Sequence, residues 1–434
     1  MPIRLDTEQP DFAARFATFL GSKREASVDV QDQVSAIIAD VRARGDEALI
    51  DFSRTFDRVD LKALGIRVTD AEIDAALASI PAETREALEF AKARIEAHHA
   101  RQRPTDETYT DAAGVTLGHR WTSVDAVGLY VPGGTAAYPS SVLMNAVPAQ
   151  VAGVPRIVMV VPAPDGQIAP LVLAAARLAG VHEVYRVGGA QAVAALAFGT
   201  DTIAPVDKIV GPGNAYVAQA KRQVFGKVGI DMVAGPSEVL VIADADANAD
   251  WIAADLLAQA EHDTAAQSIL VTDSEDLAQR VTAAVEGMLE TLPRAEIARA
   301  SWRDHGAVIK VRDLDEAPAL VDRVAPEHLE IQAADADRLA ARIRHAGAIF
   351  IGAYTPEAIG DYVGGTNHVL PTARSARFSS GLSVLDFMKR TSILKLDAEA
   401  LEKVGTAAVR LAEVERLQAH GRSVSIRTNA GGGR

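Results

Sequence analysis

Between residues 126 and 351, short apolar runs alternate with stretches of helical period. The runs at 126–131, 156–161, 183–187 and 208–210 predict strands, and the stretches at 140–151, 168–179, 190–198 and 214–225 predict helices. Strands are predicted again at 238–243, 268–272, 307–311 and 348–351, with helices between them through Arg303. Short apolar strands separated by helices specify parallel sheets covered on both faces. Two α/β lobes are therefore expected.

The flanks read differently. Residues 1–25 are short and polar, a helix plus a turn ending at Gly21–Ser22. From Ser27 the chain reads helical: Val30, Val34, Ile37, Ile38 and Val41 follow the 3.6 period, and Gly45 is a stop signal. Helices are predicted at 70–79 and 82–100, with Pro81 opening the second. His98 and His99 at its end, beside Arg101 and Arg103, read as solvated helix-terminal charges. Residues 109–125 alternate and turn at Gly114 and Gly118, a hairpin pattern. From about Gly381 the chain becomes Leu- and Ala-rich helix, then a polar tail ending NAGGGR that is expected to be disordered. No internal repeat of fixed short period is present.

Composition narrows the function. A chain of 434 residues with 48% hydrophobic and 24% charged residues has room for two or three domains. The net charge of −14 argues against nucleic acid or an anionic membrane surface as partner. No apolar run approaches the ~20 residues of a membrane span, and the N-terminus shows no secretory signal, so a cytoplasmic location is expected. There is no cysteine. That removes disulfides, thiolate metal sites, iron–sulfur clusters and a cysteine nucleophile. Any zinc must use His, Asp, Glu or Gln.

Seven stretches carry candidate chemistry. In DLLAQAEHD, Asp255, Gln259 and His262 share a helical face at i, i+4, i+7, and Gln259 and His262 can reach one metal ion; a solvated polar face is the plainer alternative. Glycine turns at 131–134 (VPGG), 187–192 (VGGAQA) and 211–216 (GPGNAY) sit at successive strand ends, where α/β sheets bind ligands and helix N-termini meet phosphate. None matches G-x-G-x-x-G. Asn214 and Gln191 offer amides there and Tyr130 a ring and a hydroxyl, so a nucleotide pocket is inferred. APEHLEI places Glu327 beside His328, at a loop or strand end where both can line a cleft and serve acid–base chemistry. GDYVGGTNHVLPT carries Asp361 and His368. EVERLQAHG places Glu415 and His420 around a helix end, where plain capping is the alternative. His119 reads as a strand residue, and His182, His305 and His345 are assigned no role.

Taken together, these segments resemble the histidinol dehydrogenase family over nearly the whole chain. The likeness rests on VGLYVPGGTAAYPSSVLMNAVPAQVAGV (127–154), VGGAQAVAALAFGT (187–200), DKIVGPGNAYVAQAK (207–221), GIDMVAGPSEVLVIAD (229–244), DLLAQAEHD, APEHLEI and GDYVGGTNHVLPT. It implies a zinc- and NAD-dependent enzyme that oxidises L-histidinol through the aldehyde to L-histidine, the last steps of histidine biosynthesis. By position it implies Gln259, His262, Asp361 and His420 as zinc ligands and Glu327 and His328 as the acid–base pair. Substrate contacts would come from Ser237, His368 and Glu415 together with His328 and the zinc ligands. Tyr130, Gln191 and Asn214 would line the NAD site.

The resemblance also implies a fold of two incomplete Rossmann-like lobes with parallel sheets, plus small N-terminal and C-terminal helical segments. The division expected is a segment 1–25, a metal and catalytic lobe from 26–128 and 236–380, an NAD lobe at 129–235, and a dimerisation segment 381–434. In the implied homodimer that last segment completes the partner's site. Zinc, with four protein ligands, would add substrate nitrogens to its shell and act mainly in positioning. Two alternatives stand beside this: a dehydrogenase of another small alcohol on the same scaffold, and a two-lobed binding protein without chemistry.

Overall fold

The computed structural model describes residues 1–22, 30–133, 138–181, 183–233 and 235–428. Ser27, Gly134, His182 and the NAGGGR tail, named above, lie outside the described residues. The apolar runs become two parallel sheets. One has five strands, in spatial order Glu183–Tyr185, Arg156–Val160, Ala126–Tyr130, Lys208–Val210 and Gly229–Ile230. The other has six, in the order Ile3–Asp6, Ala307–Lys310, Gln267–Thr272, Glu238–Ala243, His328–Gln332 and Ala348–Ile351.

Numbered from its own first strand, the five-stranded sheet runs 3-2-1-4-5. The six-stranded sheet repeats that order and adds the N-terminal strand outside it. This is an incomplete doubly wound arrangement, with its topological switch point between strands one and four. The central strands are buried at every position, which is why they read as unbroken apolar runs rather than alternating ones.

Several elements depart from expectation, each through contacts distant in sequence. Ile3–Asp6 is a strand, because Leu5 packs into the six-stranded lobe's core with Phe16 and Phe19 of the next helix. Gly118 makes no turn: it lies inside strand Thr116–Ser123, where an added Cβ would stand 2.4 Å from the Glu107 carbonyl oxygen. Gly114 does make the turn. After Gly381 the chain forms a 3-10 turn, Val384–Phe387, then strand Met388–Lys395, antiparallel to Thr116–Ser123, and only then helices Ala398–Val414 and Gln418–Thr428.

His99 is no solvated charge. It is fully buried, with Nδ1 2.6 Å from Gln102 and Nε2 3.3 Å from the Asn367 amide, and burial lowers its pKa. The helices between residues 31 and 100 pack on the five-stranded sheet, so this part of the expected 26–128 segment sits with the glycine turns rather than with 236–380. The expected boundary at residue 128 cuts strand Ala126–Tyr130.

Candidate active site

Across a cavity of about 1850 Å³, the carboxyl ends of the five-stranded sheet face the amino ends of the six-stranded sheet. On the first side stand the glycine turns. Gly211 has φ +109°, and a Cβ there would lie 2.1 Å from the Tyr130 carbonyl oxygen, so only glycine fits. Beneath it, the buried Lys221 ammonium donates to the Gly211 carbonyl (2.9 Å) and to Asp231, while Asp231 accepts from the Gly211 N–H (2.8 Å).

Tyr130 is buried, and its hydroxyl accepts from the Gly189 N–H at 3.0 Å. Burial pushes its pKa up to about 12. Asn214 caps helix Ala215–Val224, accepting from the N–H groups of Tyr216 and Val217, and Gln191 is buried in the first turn of helix Gly189–Phe198. The expected Tyr130, Gln191 and Asn214 all line the cavity.

On the opposite side, strand His328–Gln332 opens into the cavity. The Glu327 carboxylate accepts from the Glu238 N–H (3.0 Å), and the Glu238 carboxylate accepts from the Glu327 N–H (3.3 Å). This reciprocal pair ties two adjacent strand starts together. His328 Nδ1 lies 3.0 Å from the Glu238 carbonyl oxygen. A carbonyl can only accept, so the proton is on Nδ1, and Nε2 keeps its lone pair. Nε2 is buried and has no hydrogen-bond partner among the described residues. Burial, with His368 and His262 nearby, pushes the His328 pKa down to about 3. The imidazole is therefore neutral at physiological pH. His368 repeats the geometry: Nδ1 donates to the Asp361 carbonyl at 3.2 Å, and burial takes its pKa down to about 4.

Gln259 and His262 come from the end of helix Ala249–Ala260, which Asn248 caps at its start. The helix stops before His262, and Arg294 braces the turn by donating to the carbonyls of Glu261 and His262. His262 opens onto the cavity, and crowding by the protein still lowers its pKa. Asp255, a turn earlier, does not line the cavity. It accepts from the Gln332 amide (2.7 Å) on the sheet side. Asp361, in helix Glu357–Tyr362, lines the cavity, and burial pushes its pKa up to about 6. Ser237, at the start of strand Glu238–Ala243, completes this wall.

Sequence reasoning missed two residues here. Glu357 is fully buried, one helical turn before Asp361, with Oε1 3.6 Å from His328 Nδ1. Burial, then Asp361 and Glu330, raises its pKa well above the usual carboxylate range. The i, i+4 spacing to Asp361 was the available signal. His305, assigned no role, also lines the cavity.

The donor atoms fit a metal ion. Both polar atoms of the Gln259 amide are buried without partners among the described residues, as are His328 Nε2 and Glu357 Oε2. Ligand atoms of His328, Glu357 and Asp361 lie within 4.8 Å of one another. An oxygen and imidazole set without sulfur suits zinc or a similar divalent ion. Of the four expected ligands, Gln259, His262 and Asp361 line the cavity and His420 does not. His420 lies in helix Gln418–Thr428 and Glu415 at the end of helix Ala398–Val414, both exposed. Exposed Leu411, Val414, Leu417 and Ile426 accompany them. No helix among the described residues is long and apolar enough to cross a membrane.

The histidinol dehydrogenase family profile matches residues 21–428. A histidinol dehydrogenase of Brucella suis is 67% identical over 429 residues, covering 99% of this chain and 100% of its own. Those of Rhodospirillum rubrum and Nitrobacter winogradskyi are 66% and 68% identical at the same coverage. A crystal structure of histidinol dehydrogenase from Elizabethkingia anophelis matches with a TM-score of 0.95 at 36% identity, covering 100% of this chain and 99% of that one.

Proposed function

The chain belongs to the histidinol dehydrogenase family, and from that membership and the cleft chemistry we propose that it oxidises L-histidinol to L-histidine through the aldehyde, with zinc bound and NAD as acceptor. The observation that carries the reading is His328: a buried, neutral imidazole with its proton locked on Nδ1 and a free lone pair on Nε2, next to Glu327 and across the cavity from three glycine turns. The first oxidation removes a proton from the alcohol oxygen and a hydride from carbon, and Nε2 of His328 receives that proton. The second needs water added to the aldehyde, and the Glu327 carboxylate takes the water's proton. Each step passes one hydride to NAD, so one histidinol yields two NADH.

Gln259, His262 and Asp361 would hold zinc, with His420 of a second copy as the fourth ligand. Bound zinc supplies positive charge that fixes the imidazole and amine nitrogens of the substrate. The free donor atoms of Gln259 support this set. The exposed apolar side chains around His420 support a homodimer in which that segment covers the partner's cleft. Asp361, His368 and Glu415 favour a cationic, imidazole-bearing substrate. The direct test is purified zinc-loaded protein with histidinol and NAD. Two NADH per histidinol are expected, and no NADH from histidinol would overturn the proposal.

A further inference from the structure

The five-stranded sheet has the strand order and glycine turns of a dinucleotide lobe but lacks one of its parts. In such lobes a carboxylate at the end of the second strand takes the ribose hydroxyls and disfavours a 2′-phosphate. Here the second strand, Arg156–Val160, continues as Val161, Pro162, Ala163 and Pro164, without an acid. Asp165, the next residue, is 63% exposed and held outward by Arg58 at 2.8 and 2.7 Å.

A different carboxylate occupies the neighbourhood. Asp57 follows helix Asp46–Phe56 and is pinned beside the second strand's end: its carbonyl accepts from the Asp165 N–H at 2.7 Å, and its own N–H donates to Ser53 at 2.9 Å. Asp57 is 7% exposed and lines the cavity with Tyr130, Pro162 and Gly188. Its Oδ2 is buried and has no hydrogen-bond partner among the described residues. Burial raises its pKa, partly opposed by Arg58, whose guanidinium is engaged by Asp165. An unpartnered buried carboxylate oxygen is costly unless something donates to it, and a vicinal diol donates two O–H groups.

We propose that Asp57 accepts hydrogen bonds from the adenosine ribose hydroxyls of the bound dinucleotide and excludes a ribose 2′-phosphate. The acid that a Rossmann lobe draws from its second strand is here supplied by a helix packed on the sheet. The proposal rests on the NAD reading above.

The test is binding rather than turnover. Kd is measured by titration calorimetry for NADH, NADPH and 2′-deoxy-NADH on wild type and on Asp57→Asn, with folding checked by circular dichroism. Wild type is expected to bind NADH about 10-fold more tightly than the 2′-deoxy analogue and about 100-fold more tightly than NADPH. Asp57→Asn should weaken NADH binding about 10-fold, narrow the NADH-to-NADPH ratio and abolish discrimination against the 2′-deoxy analogue. Wild type that binds NADH and its 2′-deoxy analogue equally would overturn this assignment alone, whether or not the variant folds. A folded Asp57→Asn with unchanged ratios would do the same. Wild type that binds no dinucleotide would overturn the NAD reading and this one with it.

Discussion

Each sheet contains the order 3-2-1-4-5, the six-stranded one with its N-terminal strand Ile3–Asp6 set aside, yet they meet the cavity with opposite edges. The five-stranded sheet presents carboxyl ends, where helices Gly189–Phe198 and Ala215–Val224 begin. Helix N-termini carry bare N–H groups and partial positive charge, which suit a dinucleotide's phosphates. The six-stranded sheet presents amino ends, where helix Ala249–Ala260 finishes, with Gln259 in its last turn and His262 just beyond it. A helix C-terminus presents carbonyls and partial negative charge, which suits a cation.

The unused carboxyl edge of the six-stranded sheet makes the same point from the other side. It carries Asp244, Asp273 and Asp313. The Asp244 carboxylate already accepts the N–H groups of Ala334 and Asp246. Burial raises the Asp273 pKa, and Asp244 and Asp313 raise it further. A phosphate would find repulsion there and few free donors. On the proposed function, one strand order would serve two ligands of opposite sign, sorted by which end of the helices faces the cleft.

The largest effect should come from breaking the cation edge. His262→Asn and His420→Asn are each expected to lose most bound zinc and nearly all activity. If His420 crosses to a second copy, co-refolding the two inactive proteins gives about half heterodimers with one intact site each, restoring about a quarter of wild-type activity. Heterodimers no more active than their parents would place all ligands in one chain.

Next in size, Glu327→Gln should lower oxidation of added histidinaldehyde by about 10²–10⁴-fold while sparing the first hydride transfer. Pre-steady-state NADH formation separates the two, and equal losses would remove Glu327 from the water-activating role. On the anion edge, Tyr130→Phe leaves the Gly189 N–H without its acceptor. NADH Kd should rise about 3–10-fold with zinc content unchanged. Zinc lost in parallel would show that the two edges are not independent.

The smallest effect tests the acid pair behind the cation edge. Asp255 and Glu330 hydrogen-bond one another, and burial, with Asp255 adding to it, pushes the Glu330 pKa up to about 8. A folded-state value above the ordinary 4.5 contributes stability that is complete below 4.5 and lost as pH rises through about 8. Glu330 also holds the Glu357 N–H at 2.8 Å, so the loss falls on the helix that carries Asp361. Between pH 5 and 9 the Tm of Glu330→Gln should therefore fall less than that of wild type, by about 1–3 °C. Identical pH slopes would exclude a shared proton.

Much of this was legible in the sequence, because it is local. Strands buried on both faces must be continuous apolar runs, so 208–210 and 238–243 were readable to the residue; the edge strand 348–351 was readable as an apolar run although Ile349 and Ile351 are exposed. Glycine at 211 follows from a backbone that approaches Tyr130 too closely for a Cβ. Glu327 and His328, adjacent in the chain, were readable as a candidate acid–base pair without any fold. Tertiary structure alone decided the rest. Strand order and edge arise from pairings between residues far apart, and local period is blind to them; so Ile3–Asp6 and Met388–Lys395 were missed. Glu357 is raised in pKa because the fold buries it and sets Asp361, and Glu330 of a strand distant in sequence, beside it, and His99 is buried where Asn367 reaches it across 268 residues. An ionisable side chain's identity is written in the sequence, but its solvation is set by whatever the fold packs against it.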